Sequence, residues 1–431
     1  MASIPQPAPV AGDMGWFTRD RFGMFIHWGL YAAAARHEWV RHGEEITNEA
    51  YEKYFRVFDP DLYDPRAWAR AARAAGMKYF VITAKHHEGF CLWDTDETDY
   101  KAANTPAGRD LIREAVDAFR AEGLRVGFYY SLIDWHHPDF PIDPLHPLRN
   151  HPDAVKMNET RDVARYRDYM HRQVRELLTR YGKIDVMWFD FSYPEQAAKG
   201  LKGKGRNDWG SEALLKMVRE LQPGIIVDNR LDLPPEMADI HTPEQYQPTE
   251  WTHIDGKPVY WEACQTFSGS WGYHRDEATW KSPEQLVQML VNSVALGGNL
   301  LMNVGPTARG LFDDRAVRAL DVYARWIALH ARAIYGCTQS EFTAPSGCRY
   351  TQNGKRLYLH LYEWPFRHVH LKELADRVEY AQLLNDASEV RFVSAAPPET
   401  LGFERKPDTL TLELPVQKPG VTVPVVELFL K

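Results

Sequence analysis

The sequence is poor in the features that define several common protein classes. Its 431 residues include four cysteines, Cys91, Cys264, Cys337 and Cys348, with no CxxC or Cys/His ligand spacing, so neither a zinc site nor a disulfide framework is indicated. Cys337 and Cys348 alone are close enough in sequence to suggest a bridge. Lys and Arg total 51 against 59 Asp and Glu, a net charge of -8, which leaves no basic excess to attract nucleic acid or an anionic membrane.

Targeting and nucleotide-binding signals are also missing. The N-terminus MASIPQPAPVAG has no basic stretch followed by an apolar one, and the chain has no uncharged apolar run of membrane length. These absences favour a soluble, cytoplasmic protein, although a chain from which a signal peptide has been removed would look the same. Neither a GxGxxG nor a P-loop lysine motif occurs, which disfavours the nucleotide-binding folds.

What the sequence does contain is a regular alternation of two patterns. Short β-rich runs such as MKYFVITAKHH, LRVGFYYSL and KIDVMWFDF alternate with helical patterns such as DPRAWARAARAAG and SPEQLVQMLVNSVALGG. Strands that alternate with helices predict a parallel sheet, and roughly seven or eight such units favour a closed barrel.

The alternation ends near Thr338, and the runs that follow, such as RLYLHLYEW and TLTLELP, are short and β-rich. We therefore predict a leader over residues 1–15, a (β/α)8-like barrel, regular or irregular, over 16–337, and a small C-terminal β-sandwich over 338–431. Two long loops, Leu132 to Asn158 and Phe191 to Gly210, are expected at the rim of a site, and the Lys/Gly content of the second favours mobility.

The residues that close the predicted barrel strands are polar. Active sites of such barrels form at the carboxyl ends of the strands. Those ends are His27 and Trp28, His86 to Glu88, Tyr129 and Tyr130, Trp188 to Asp190, Asp228 to Arg230, Trp261 and Glu262, and Asn303. Any one of them has an ordinary structural explanation, such as an Asp that caps the next helix. A set of histidines, carboxylates and an arginine at one edge instead predicts an active site.

The stretch VMWFDFSYP, Val186 to Pro194, ends a buried run with a carboxylate. Successive strand residues point to opposite faces, so Trp188 and Asp190 share a face. Arg230 shares a face with Asp228, and a guanidinium close to a carboxylate keeps that carboxylate ionised. Asp190 is therefore predicted to be a buried nucleophile or a strained cap.

Two kinds of chemistry could use these residues. His27, His86, His87 and Asp190 could converge on a metal ion, but no HxH or HExxH spacing supports this, and we predict neither a metal nor a cofactor. Alternatively, one carboxylate attacks the anomeric carbon of a glycoside while a second, with a raised pKa, protonates the leaving oxygen. Asp190 supplies the first, and Glu244 in TPEQ or Glu262 in YWEACQ supplies the second.

A series of motifs resembles the α-L-fucosidases of glycoside hydrolase family 29. The motifs occur in the expected order from about Trp16 to Thr307 and include RFGMFIHWGLYA, AKHHEGFCLWDT, GFYYSLIDWHHP, WFDF, VDNR, TPEQ and SWGY. The resemblance implies retention through a covalent glycosyl-enzyme, no metal, and α-L-fucose as the sugar.

The resemblance also implies roles for single residues. The nucleophile falls on Asp190, where many relatives have Gly in place of the following Phe191, and the acid/base falls on Glu244, with Glu262 as the alternative. Sugar-contacting positions fall on His27, Glu38, Trp39, His86, His87, Tyr130, Trp188 and Arg230. Strand parity does not decide between Tyr129 and Tyr130.

The sequence therefore predicts a retaining exo-glycosidase that removes terminal α-L-fucosyl residues from fucosylated oligosaccharides or glycoconjugates. A hydrolase of α-L-galactosides or another related sugar is the alternative, followed by a non-catalytic carbohydrate-binding relative. No nucleic-acid or membrane partner is predicted.

Overall fold

The computed structural model describes residues 4–394 and 408–431. The first three residues of the predicted leader and residues 395–407 of the predicted sandwich lie outside the described residues. Among the described residues, no helix is long and apolar enough to cross a membrane.

The described strands have the following bounds: β1 Phe22–Ile26, β2 Tyr79–Lys85, β3 Arg125–Ser131, β4 Val186–Asp190, β5 Ala197–Ala198, β6 Leu201–Lys202, β7 Ile226–Val227, β8 His253–Ile254, β9 Lys257–Pro258, β10 Glu262–Thr266, β11 Asn299–Val304, β12 Cys348–Asn353, β13 Arg356–Leu361, β14 His368–Leu371, β15 Val378–Leu383, β16 Arg391–Val393, β17 Leu410–Glu413 and β18 Val425–Leu430.

The described α-helices are α1 Met14–Asp20, α2 Tyr31–Ala34, α3 Val40–Gly43, α4 Asn48–Val57, α5 Pro65–Ala74, α6 Leu111–Ala121, α7 Ala154–Met157, α8 Val163–Arg180, α9 Arg206–Trp209, α10 Ser211–Leu221, α11 Pro283–Ala295 and α12 Asp314–His330. Side chains cap the amino ends of three helices that connect barrel strands. Asp64 accepts from the first-turn amides of α5, Asp110 caps α6, and Ser282 forms a capping box with Gln285 at α11.

The first part of the chain contains a curved sheet of parallel strands. Their order in the sheet is β10-β11-β1-β2-β3-β4-β7. Their pairings are parallel throughout, as in the β3 and β4 register of Tyr129 with Trp188 and Ser131 with Asp190. Helices cover the outside of this sheet, as their packed apolar faces require. The predicted (β/α)8-like barrel is confirmed.

The barrel closes through a short extended segment, residues 240–244, between β7 and β10. The amide of Ile240 donates to Val227 O at 3.4 Å, and the amide of Cys264 donates to Pro243 O at 3.1 Å. Parallel bridges join His241 to Trp261 and Glu244 to Cys264. This irregular eighth member carries Glu244 to the carboxyl end of the barrel.

The barrel interior is filled by side chains of one strand parity. Phe25, Tyr129, Trp188, Cys264 and Leu301 belong to this inner cluster. Trp188 and Asp190 share a face, as parity predicted, and this face points into the barrel. At the amino end, α1 closes the barrel as Trp16 and Phe17 pack on Tyr79, with ring centroids 5.4 and 6.1 Å apart.

The C-terminal part consists of antiparallel sheets with the orders β12-β13-β18-β15 and β14-β17-β16. A separate apolar cluster lies between them, with Leu359, Leu371, Leu412 and Leu428 at its centre. This arrangement confirms the predicted β-sandwich as a fold class.

Two expectations about this architecture are wrong. Cys337 and Cys348 are both free and buried, so no bridge joins them. The segment from Phe191 to Gly210, expected to be mobile, forms the β5/β6 hairpin, and its Leu201 packs on Ile142 and Ala154 of the other rim loop. Apolar contact, which a Lys/Gly-rich sequence conceals, holds the two loops together.

Candidate active site

A pocket opens at the carboxyl ends of the barrel strands. Residues predicted from the sequence that line it are His27, Trp39, His86, His87, Trp188, Asp190 and Glu244, and Phe25, Tyr129, Phe191, Cys264 and Trp271 complete the lining. Its volume of about 270 Å³ lies just below the roughly 300 to 1,000 Å³ of sites for drug-sized ligands. The pocket therefore suits one small ligand, such as a single sugar ring.

Asp190 lies at the end of β4 and receives three hydrogen bonds. Its Oδ2 accepts from the Tyr129 hydroxyl at 2.7 Å, and its Oδ1 accepts from the Phe191 amide at 3.0 Å and from Arg230 Nη1 at 2.9 Å. Burial raises the pKa of Asp190 to about 6, the Arg230 and Tyr129 contacts oppose this, and the charge of Glu244 adds to it. The carboxylate is thus ionised at neutral pH but poised to accept a proton or an electrophile.

One guanidinium joins the two candidate carboxylates. Arg230 Nη1 lies 2.9 Å from Asp190 Oδ1, and Nη2 lies 2.8 Å from Glu244 Oε2. Arg230 Nε donates to Thr242 Oγ1 at 3.1 Å, and Thr242 is in turn held by Asn229. The guanidinium also lies 4.6 Å from the Trp188 ring centroid, so hydrogen bonds and a cation-π contact fix its plane.

Glu244 is the more accessible of the two carboxylates. Its side chain is 41% exposed, against 10% for Asp190. The floor residues Phe25 and Tyr129 are fully buried, so a group can leave the pocket only through the mouth. Glu244 lines the pocket and is its more exposed carboxylate.

The pocket histidines are neutral at pH 7, because burial lowers the pKa of each, that of His27 to about 3 and those of His86 and His87 well below their usual value. His27 Nδ1 contacts Asn303 Oδ1 at 2.6 Å; an amide oxygen only accepts, so Nε2 keeps its lone pair. His87 Nδ1 contacts Ser131 Oγ at 2.7 Å. Neutral imidazoles have one donor and one acceptor nitrogen, which suits sugar hydroxyls, since these both donate and accept.

Both His86 and His87 line the pocket although they are adjacent in sequence. Strand β2 ends at Lys85, so the strict alternation of strand faces no longer applies to them. Their ring centroids lie only 3.9 Å apart.

The prediction that Tyr130 contacts the sugar is wrong. Tyr130 points out of the barrel, where its hydroxyl donates to Gln173 Oε1 at 2.7 Å and its ring lies 4.4 Å from Lys85 Nζ. Tyr129 takes the inward position because it pairs directly with Trp188 on β4. Adjacent strand residues point to opposite faces, so the sequence alone could not show which of the two tyrosines faces inward.

The alternative assignment of Glu262 as the acid/base is also wrong. Strand β10 begins at Glu262 and ends at Thr266, so this carboxyl lies at the amino end of the strand and not at the mouth. It is fully buried, and the Tyr79 hydroxyl donates to its Oε2. The sequence placed the strand end about four residues too early, because the polar ACQT that follows does not look like a strand interior.

Glu38 supports the pocket from behind. It is buried, and its Oε2 accepts from the amides of Trp271 at 3.1 Å and Gly272 at 2.8 Å. Trp271 is a pocket wall, so Glu38 holds the loop that carries this wall. Its direct contact with a sugar stays a prediction.

Phe191 is a pocket residue to which sequence reasoning gave no role. Its φ of +75° is the left-handed region that glycine favours. Its ring packs at 4.5 Å from His87 and 5.2 Å from Trp39, measured between centroids. The family resemblance implied a glycine at this position, but a single sequence does not reveal the φ angle.

A parallel barrel whose mouth gathers two carboxylates, an arginine, neutral imidazoles and aromatic walls defines a class, the carboxylate-based glycoside hydrolases. Comparison with known proteins narrows this class. The family model described as alpha-L-fucosidase matches residues 10–332, and the chain belongs to the alpha-L-fucosidase family.

Individual relatives agree with this assignment. The tissue alpha-L-fucosidase of Bos taurus is 28% identical over 384 residues, covering 81% of this chain and 75% of the relative. The solved structure of alpha-L-fucosidase isoenzyme 1 from Paenibacillus thiaminolyticus is 48% identical with a TM-score of 0.89, covering 97% of this chain and 98% of that one. A family 29 fucosidase from Bacteroides thetaiotaomicron, trapped as a covalent intermediate with 2-fluoro-fucosyl fluoride, is 27% identical with a TM-score of 0.83 over 99% of this chain and 98% of that one.

Proposed function

We propose that this protein removes terminal α-L-fucosyl residues from fucosylated oligosaccharides or glycoconjugates with retention, using Asp190 as nucleophile and Glu244 as general acid/base. The observation that carries the proposal is the Arg230 guanidinium, which holds Asp190 Oδ1 at 2.9 Å and Glu244 Oε2 at 2.8 Å. One arginine shared by two carboxylates at a barrel mouth supports a double-displacement site.

In the first step, the Asp190 carboxylate attacks the anomeric carbon and forms an ester bond to it. The glycosidic C–O bond breaks, and Glu244 gives its proton to the departing oxygen. In the second step, the Glu244 carboxylate takes a proton from water as the water oxygen attacks the same carbon. The ester bond breaks, Asp190 regains its charge, and fucose leaves with its original configuration.

The pocket supports action on a chain end. Its small volume and its enclosing aromatic walls leave room for one ring, so the rest of the substrate extends through the mouth past Glu244. Neutral His27 and His87 bind hydroxyls of that ring, while Trp39 and Trp271 offer flat apolar faces to its carbon side.

Replacement of Asp190 by Ala tests the proposal. We expect kcat for p-nitrophenyl α-L-fucoside to fall by about 10⁴-fold or more, as for other enzymes that lose a catalytic nucleophile. Added azide should restore turnover and yield β-L-fucosyl azide, because the small anion enters the space that the carboxylate leaves. The measurement is the release of p-nitrophenol together with NMR of the product anomer.

Glu195→Ala, at an exposed carboxylate in the loop that follows Asp190, is the matched control and should retain wild-type turnover. Full activity of Asp190→Ala, or rescue that yields the α-azide, would contradict the assignment. A parallel assay with p-nitrophenyl α-L-galactoside decides between fucose and the related sugar, since the two differ in a methyl against a hydroxymethyl group.

A further inference from the structure

The barrel interior holds a buried carboxyl, Glu262, that the proposed mechanism does not use. Its exposed fraction is 0%, and it lies on the same face of β10 as Cys264, which lines the pocket. The Tyr79 hydroxyl donates to its Oε2. Burying a carboxyl costs free energy unless its oxygens have hydrogen-bond partners. We therefore expect the contacts of Glu262 to have a functional role.

The second oxygen of Glu262, Oε1, receives no such bond. This oxygen and the indole nitrogen of Trp188 are both buried, and neither has a hydrogen-bond partner among the described residues. Trp188 packs in the same inner cluster as Cys264 and as Tyr79, whose hydroxyl donates to Glu262, and the indole N–H lowers the pKa of the Glu262 carboxyl. A small movement of either side chain completes an N–H to carboxylate bond.

Trp188 in turn supports the catalytic pair. Its ring stacks on Tyr129 at a centroid distance of 5.7 Å, and the Arg230 guanidinium lies 4.6 Å from the Trp188 ring centroid. A carboxylate bound to the indole N–H fixes the ring and makes its face more negative, which strengthens the cation-π contact with Arg230.

We infer that Glu262 is a positioning residue that acts through Trp188 on Arg230, and thereby sets the orientation of Asp190 and Glu244. This inference rests on the proposed function of that pair. It predicts that the loss of the Glu262 charge harms the transition state more than the binding of the ground state, because only the transition state needs both carboxylates in register.

The surroundings of Glu262 make its charge sensitive to pH. Burial raises the pKa of Glu262 to about 7, against the lowering contacts of Tyr79 and Trp188. The other polar groups near it are Asn299 on β11, whose Nδ2 lies 3.4 Å from the Tyr79 hydroxyl, Cys264 on β10, and the Arg21 guanidinium, 3.5 Å from Asn299 Oδ1. The contribution of ionised Glu262 is present above about pH 7 and is lost as the pH falls through that value.

A double-mutant cycle of Glu262→Gln and Trp188→Phe tests the inference. Phe keeps a ring beneath Arg230 but has no N–H. With p-nitrophenyl α-L-fucoside at pH 8, Glu262→Gln should lower kcat about tenfold, with KM within about twofold. In the Trp188→Phe background the same substitution should cost less than about twofold, because the group through which it acts is gone. Equal costs in both backgrounds would refute the inference.

The pH profile of kcat gives a second, independent reading. The pKa of Glu262 is about 7, so the wild-type profile should show an inflection near pH 7. This inflection should be absent from the profiles of Glu262→Gln and Trp188→Phe. Tyr79→Phe keeps the ring, removes the other donor to Glu262, and should retain an inflection at a higher pH. If Glu262→Gln does not fold, persistence of the inflection in Trp188→Phe refutes the inference. A wild type inactive on the fucoside refutes the proposed function instead.

Discussion

The Arg230 guanidinium contacts two neighbouring carboxylates, Asp190 and Glu244, and its positive charge offsets their mutual repulsion. Burial and the charge of Glu244 both raise the pKa of Asp190, and Arg230 opposes them from 2.9 Å. The arginine itself is held by Thr242 and by the Trp188 face. In the proposed mechanism the Asp190 charge is consumed in the glycosyl-enzyme, so the same guanidinium then acts on Glu244 alone and favours its ionised form, the proposed base of the second step.

Glu244→Ala should discriminate between leaving groups. We expect kcat/KM for a fucosylated disaccharide to fall about 10² to 10⁴-fold, since its alkoxide needs protonation as it leaves. For p-nitrophenyl α-L-fucoside the fucosylation step should suffer much less, because nitrophenolate leaves without a proton. Glu250→Ala, at an exposed carboxylate in the same loop, serves as the control. Equal losses for both substrates would remove Glu244 from the acid role.

The Tyr129 hydroxyl should set the acid limb of the pH profile. It donates to Asp190 at 2.7 Å and lowers the pKa of that carboxyl. As the proposed nucleophile, Asp190 must be ionised to attack. With its pKa at about 6, kcat/KM should be high above pH 6 and should decrease as the pH falls through that value. Tyr129→Phe removes a bond to a charged group and should move this loss upward by about one pH unit.

The adjacent Tyr130→Phe is the control for this profile, because Tyr130 lies outside the barrel on Gln173. Its acid limb should coincide with that of the wild type, and a shift as large as that of Tyr129→Phe would disconnect the limb from the Asp190 contact.

Side chains on regular strands could be placed from the sequence, and those beyond strand ends could not. The two-residue period of a strand put Trp188 and Asp190 on one face, and in the structure both line the pocket. The same rule does not decide whether Tyr129 or Tyr130 faces inward, because that depends on how β3 pairs with β4. Phe191, one residue past the strand, lines the pocket only because its backbone turns into a positive φ.

Among the secondary-structure elements, the closing segment 240–244 is one that the hydrophobic pattern of the sequence does not predict. Its residues IHTPE alternate poorly and contain a proline, so nothing marks them as a barrel member. Backbone hydrogen bonds to Val227 and from Cys264 nevertheless place them in the wall. The assignment of β10 failed for a related reason, because a strand with a buried Glu and Gln inside a barrel looks polar.

The fit of β1 against β2 depends on a glycine. A Cβ on Gly23 would lie 2.4 Å from the Tyr79 ring, and that ring is buried and bonded to Glu262. Gly23→Ala should therefore lower the free energy of unfolding by about 1 to 3 kcal/mol. Urea unfolding followed by circular dichroism measures it.

Gly43→Ala provides the matched control, because no atom of residues 4–394 or 408–431 lies within 4 Å of a Cβ at this helical position. Alanine there should leave stability unchanged or raise it by about 0.5 kcal/mol. If both variants had the same midpoint, close packing of Tyr79 on Gly23 would not limit the barrel.

For the molecule as a whole, the change from alternating to all-β patterns was visible in the sequence, but the contact between the two parts was not. Tyr358, Leu384, Val423 and Val425 from the C-terminal sheets belong to the same apolar cluster as the barrel helices. The Trp326 indole of α12 donates to Val423 O at 3.0 Å. Surface complementarity between distant segments has no periodic signature in one sequence.

This shared core predicts that barrel and sandwich unfold as one unit. Each of the four shared side chains contributes about 1.5 to 3 kcal/mol by burial, which together is a large part of the roughly 5 to 15 kcal/mol that stabilises a typical fold. Scanning calorimetry should show a single transition for the full chain. A chain that ends at Cys337 should melt many degrees lower or fail to fold, whereas Val416→Ala, at a residue 59% exposed in the same region, should keep the wild-type midpoint. Two separate transitions, or a truncated chain with the native midpoint, would show that the barrel is stable without the sandwich, and the sandwich would then need a role other than support.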